Sequence, residues 1–165
     1  MSREKEIIGA KAASLEWLDS FGVAVPEWTA IPAGVLNDFL KDLNIKVPSA
    51  DDDEGIQEVH NLIMTAEMPS ALKTVIESLA LPLLEKGSLA VRSSGTLEDM
   101  ASASFAGQYE SVLDVKTVAE LIVAVRQCWA SQFTERVFQY CSHQGLDVAD
   151  LQMAVIVQQL VPAVS

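Results

Sequence analysis

Positive charge is scarce in this chain. Its 165 residues carry 11 Lys and Arg against 23 Asp and Glu, a formal net charge of -12. That balance argues against nucleic acid, whose phosphate backbone attracts basic surfaces. Long apolar runs are also missing. Hydrophobic residues make up 50% of the chain, yet no segment is long and charge-free enough to span a bilayer. The opening Met1-Ser2-Arg3-Glu4-Lys5-Glu6 lacks the apolar core of a signal peptide, so a cytoplasmic protein is expected. Cysteine is rare: Cys128 and Cys141 both fall on a stretch that reads as one long helix. They stand too far apart to bond within it, and no Cys-His metal spacing is present. Both are expected to be buried or half-buried thiols, and no metal site is expected. The two histidines, His60 and His143, lie in no motif and are read as structural or exposed.

With so few cations, an anionic ligand must be met by particular ones. The most informative stretch is Leu89 to Val115, LAVRSSGTLEDMASASFAGQYESVLDV. Leu89-Ala90-Val91 suits a buried strand. Arg92 follows at once, then Ser93, Ser94, Gly95 and Thr96. A second cluster of small residues runs from Ser102 to Gly107, and Ser111 to Val115 alternates like a strand with one wet face. Small residues let backbone amides approach an anion, and arginine offers a rigid fork of donors that matches phosphate oxygens. One reading is an anion site for a polyphosphate. The other is an ordinary hairpin, with Arg92 paired to Glu98 or Asp99.

The remainder reads as a mixed chain of moderate length, enough for one domain with a real core. A helix is expected from about Lys11 to Phe21, with Ala12, Leu15, Leu18 and Trp17 on its apolar face. Pro26 interrupts a short strand spanning Val23–Ile31, which places it at an edge or a turn. Helical spacing predicts elements over 35–43, about 54–67 and about 70–84, with Pro82 distorting or ending the last. The acidic run Asp51-Asp52-Asp53-Glu54 lacks the ligand alternation of a calcium loop and fits a first helical turn. From Thr117 to Ser142 the steps of three and four through Leu121, Val125, Trp129, Phe133, Val137 and Tyr140 predict the longest helix, with Arg126 on another face. Met153 to Val161 is an apolar strand. The fold class is α+β, several helices packed on a small, mainly antiparallel sheet.

Three blocks then carry a resemblance. VRSSGTLEDMASASFAGQYES is similar to the nucleotide-binding signature of the pyruvate phosphate dikinase and phosphoenolpyruvate synthase family, shared by rifampin phosphotransferases. IIGAKAASLEWLDSFGVAVPEWTAIP, Ile7 to Pro32, resembles the family's start: a Gly-Gly-Lys turn, a helix and a Val-Pro step. Ala124 to Val161 resembles the helix and strand that follow the signature. The blocks occur in the family's order. Two departures are small: Ala10 stands where the family has Gly, and Gly95 where it has Ala.

The resemblance implies an ATP-grasp-like domain, here residues 1–165 as a single domain. It would be the N-terminal portion, truncated relative to the family and not catalytically complete alone. It implies ATP as ligand, with magnesium held by ligands expected downstream. Lys11 and Arg92 would neutralise the phosphates, Arg92 in the catalytic role. Ser93, Thr96, Ser104, Ala106, Gly107 and Gln108 would line the phosphate loops. Gln158, Gln159, Leu160 and Val161 match the segment that passes the adenine ring. Pyruvate phosphate dikinases carry a Met-Pro-Gly-Met type loop where this chain has Ser104 to Gln108. That favours the phosphoenolpyruvate synthase branch, with phosphoryl transfer through a histidine to pyruvate, or a rifampin phosphotransferase-like antibiotic kinase. The acceptor would be met only through further domains. A different class of function is a non-catalytic module that forms a homodimer, with Met153–Val161 as an apolar sheet edge open to a second copy.

Overall fold

The computed structural model describes residues 3–95 and 110–161. The chain runs through α1 (Arg3–Ser20), β1 (Trp28–Ile31), α2 (Ala33–Asp42), α3 (Asp53–Thr65), α4 (Ser70–Leu84), β2 (Leu89–Gly95) and β3 (Ser111–Val115). It continues through α5 (Val118–Ala130), α6 (Glu135–Gln144), a short 3-10 turn (Val148–Asp150) and β4 (Met153–Gln159). The strands form one 4-stranded antiparallel sheet in the order β1-β4-β2-β3. The α+β expectation therefore holds, with helices packed on a small antiparallel sheet.

Helix starts follow local chemistry. The acidic run opens α3: Asp52 caps it, its carboxylate accepting from the Gly55 amide at 2.9 Å, with Asp53 and Glu54 in the first turn. There carboxylates meet the positive end of the helix. Thr117 and Glu120 form a reciprocal capping box on α5. Pro82 lies inside α4 and does not end it.

The single helix expected over 117–142 is two helices. Thr134 adopts an extended conformation and caps α6, its hydroxyl accepting from the Val137 amide at 3.4 Å. Just before it, Gln132 and Phe133 amides donate to Trp129 and Ala130 carbonyls in tight turns. His60 on α3 tethers the same break, with Nδ1 3.0 Å from the Ala130 carbonyl and 3.3 Å from that of Phe133. Carbonyls only accept, so Nδ1 carries the proton. Cys128 and Cys141 thus sit on different helices, both buried and free. Burial, and then the nearby Asp147 charge, push the Cys141 thiol above its ordinary range.

Partners across an antiparallel ladder share a face. On one face Leu89, Val91, Val155 and Val157 join the main core with Trp129, Phe39, Phe133 and Phe138. Arg126 also belongs here, against the polar-face expectation. Its guanidinium donates to the Ile63 carbonyl at 2.8 Å and lies 5.5 Å from the Phe39 ring centroid. Burial lowers its pKa. On the other face, Ala90 pairs with Gln158, Arg92 with Ile156 and Ser94 with Ala154. Helix α1 packs against β2 and β4.

Two further expectations are corrected. β4 is not an open edge: it lies between β1 and β2, so the argument for self-association through it loses its basis. Trp17 is not on the buried side of α1. It is 61% exposed and packs at a tilt against Phe21, with ring centroids 4.7 Å apart.

Candidate functional site

The site is built where α1 meets β2. Helix α1 is interrupted at Gly9, whose φ of 75° and ψ of 171° lie outside the helical region. A Cβ at Gly9 would stand 2.5 Å from the Ser94 carbonyl oxygen, so the backbone of the turn rests directly on the strand. After the interruption the helix resumes, and Lys11 extends to β2, its ammonium donating to the Ser93 carbonyl at 3.2 Å.

Ser93 is a junction. Its amide and its hydroxyl both donate to the Glu110 carbonyl, each at 3.2 Å, and the Cys128 thiol approaches the same oxygen at 3.7 Å. The Ser93 hydroxyl is therefore occupied in tying β2 to the start of β3. Its neighbours point to the other face. Arg92 is the exposed position in an otherwise buried strand, next in sequence to the carbonyl that holds Lys11. Ser94 is fully buried, and its hydroxyl has no partner among the described residues.

Of the residues expected at a site, Lys11 reaches β2 at the Ser93 carbonyl, and the exposed Arg92 is the adjacent residue, midway along that strand. Thr96, Ser104, Ala106, Gly107 and Gln108, with Glu98 and Asp99, lie outside the described residues. The segment from Gln158 to Val161 divides. Gln158 is on the Arg92 face, with Nε2 3.4 Å from the Pro26 carbonyl. Gln159 turns to the opposite face and donates through Nε2 to the Ser88 carbonyl at 3.1 Å. The amides of Gln159 and Leu160 already donate to the Glu27 and Ser88 carbonyls. A purine edge here would have to use other groups. Sequence reasoning named Lys11 and Arg92 but not Gly9 or Ser94; the glycine two residues before the lysine was the available signal.

The cations fit a phosphate. Lys11 offers a compact ammonium and Arg92 a planar fork of donors, the two kinds of donor that suit phosphate oxygens. Among the described residues there is no group of three or more His, Cys, Asp and Glu placed to hold a metal ion. A cavity of about 450 Å³ between β3 and α5, lined by Val112, Leu113, Val115 and Val123, contains neither cation. No helix among the described residues is long and apolar enough to cross a membrane.

The antiparallel sheet, the helices packed on it and the interrupted helix whose lysine reaches β2 define an α+β domain. More particularly, residues 5–165 match the family described as pyruvate phosphate dikinase, AMP/ATP-binding domain, and the chain belongs to that family. It is 34% identical over 157 residues to the uncharacterized phosphotransferase YvkC of Bacillus subtilis, covering 94% of this chain and 18% of that protein. It is 30% identical over 174 residues to a probable phosphoenolpyruvate synthase of Methanothermobacter thermautotrophicus, covering 95% of this chain and 25% of that protein. It is 38% identical over 117 residues to a rifampicin phosphotransferase of Streptomyces sviceus, covering 68% of this chain and 14% of that protein. The chain thus spans from 14% to 25% of the length of these relatives.

Proposed function

We propose that this chain binds ATP and serves as the nucleotide-holding part of a phosphotransferase resembling phosphoenolpyruvate synthase. In that reaction phosphoryl passes from ATP to a histidine and then to pyruvate. The observation that carries the reading is that Lys11 reaches across to the β2 backbone at Ser93, the residue next to the exposed Arg92. Arg92 and Lys11 neutralise the phosphates, and Ser93 holds Lys11 through its carbonyl. Thr96, Ser104, Ala106, Gly107 and Gln108 complete the phosphate loops, and Gln158 to Val161 pass the adenine. Positioning and charge stabilisation are what such a site contributes to phosphoryl transfer. The domain is of the ATP-grasp type. Magnesium accompanies the nucleotide and supplies further charge neutralisation. A cytoplasmic setting follows from ATP as the ligand. An antibiotic kinase of the rifampicin phosphotransferase kind would use the same phosphate residues; the acceptor, met through other domains, separates the two.

The test is a calorimetric titration of the chain with Mg·ATP beside Arg92→Ala and Lys11→Ala. Each variant removes a charge-assisted contact, so affinity should fall about tenfold or more in both, with the circular dichroism unchanged. Equal affinity in all three proteins would overturn the reading.

A further inference from the structure

Lys11 is a long, flexible side chain, and a flexible cation is a poor phosphate ligand unless its stem is fixed. Two features of the structure fix it from below. Gly9 is buried and left-handed, a conformation glycine adopts without strain. Its Cα side faces Ser94 so closely that a Cβ there would lie 2.4 Å from Ser94 Oγ, 2.5 Å from the Ser94 carbonyl oxygen and 3.0 Å from its carbonyl carbon. The carbonyl belongs to the strand backbone, so it cannot move aside as a side-chain tip could. Ser94 is itself fully buried, and its hydroxyl makes no hydrogen bond among the described residues.

We propose that the Gly9–Ser94 contact is the positioning element of the phosphate site. It seats the start of the resumed helix on β2, so that Lys11 emerges beside Arg92 rather than elsewhere on the sheet. This inference rests on the ATP reading for its purpose, but not for its geometry. Arg92, Ser93 and Ser94 then divide the work in consecutive positions. Arg92 faces outward, the Ser93 carbonyl receives the Lys11 ammonium, and Ser94 is the seat for Gly9. Neither Gly9 nor Ser94 need touch the nucleotide.

The experiment uses the full chain with Gly9→Ala and Ser94→Val, each alone and combined with Lys11→Ala. Ser94→Val crowds the same contact from the strand side, where a β-branched residue suits the backbone, and it decides the matter if Gly9→Ala fails to fold. Without nucleotide, the Lys11 ε-methylene resonance should move toward that of an exposed lysine in both variants. With Mg·ATP, each variant should lose about tenfold in affinity, the loss expected for one charge-assisted contact. Adding Lys11→Ala should then cost little more, because the lysine is already displaced. An unmoved Lys11 resonance, native ATP affinity in a variant whose resonance has moved, or losses that simply multiply would each overturn the proposal. If the native chain binds no ATP but the resonance moves, the seating of Lys11 is upheld and the ATP reading is what fails.

Discussion

The two faces of the sheet are made from different kinds of residue. Toward α2 through α6, β2 and β4 present Leu89, Val91, Val155 and Val157, which interlock with Phe39, Trp129, Phe133 and Phe138. Toward α1, the same strands present the small Ala90, Ser94 and Ala154 beside a single large apolar residue, Ile156, and the helix contributes Gly9 and the fully buried Ala12. Large apolar side chains exclude water and supply stability in proportion to the area they bury. Small ones bury little but let backbones approach. The first face holds the fold together, and the second carries the exposed Arg92 and receives the helix that sends Lys11 to the neighbouring Ser93 carbonyl. Stability and ligand binding should therefore respond to different substitutions in one sheet.

The largest expected effect is on the core face. Trp129 is fully buried, its ring 5.7 Å from that of Phe39, and its indole nitrogen has no acceptor among the described residues. Trp129→Ala should cost about 3–5 kcal/mol through lost burial and the cavity left behind. Urea unfolding measures that cost, and calorimetry on the remaining folded protein should give native ATP affinity. A large affinity change would break the division between faces.

Next is overpacking beneath α1. Ala154 is 1% exposed and pairs with Ser94 across the ladder. Ala154→Leu should cost about 1–3 kcal/mol, less than Trp129→Ala, because the helix can be pushed outward. Moving the helix moves Lys11, so here ATP affinity should fall as well. Loss of stability with native affinity would show that α1 tolerates the shift without disturbing the lysine.

The two faces were unequally legible in the sequence. Amphipathic spacing marked most of the core because large apolar residues recur at helical steps. It failed at 131–134, where Trp129, Phe133 and Val137 keep that rhythm across a real break; Thr134 before Glu135 was the local capping signal. It also misplaced Arg126, since a pattern of polarity cannot show a guanidinium reaching inward to the Ile63 carbonyl. On the α1 face, motif resemblance found Lys11 and Arg92. The requirement for glycine at position 9 depends on Ser94, more than eighty residues away, and so on tertiary approach that no local pattern carries. The glutamines at 158 and 159 look alike in sequence, yet strand alternation sends them to opposite faces.

The smallest effect belongs to the rim, which serves neither face. At the edge strand β3, Asp114 is left-handed with φ of 62°, beside a shift in the β2–β3 register. Its carboxylate accepts from the exposed Lys116 ammonium at 2.7 Å. That bond holds the Asp114 carboxyl below the ordinary aspartate range and raises the lysine above its own. Asp114→Asn keeps a side chain that tolerates this backbone and removes only the charge. A depressed carboxyl pKa contributes stability above its unfolded value, and that contribution fades as pH falls through the folded one. The raised lysine contributes below its unfolded value and fades as pH rises through the folded one. Native protein should thus exceed Asp114→Asn slightly in thermal stability between the two ranges, and the gap should close at either extreme and in high salt. A gap that persists in acid would mean that Asp114 acts through the bulge geometry rather than through its charge.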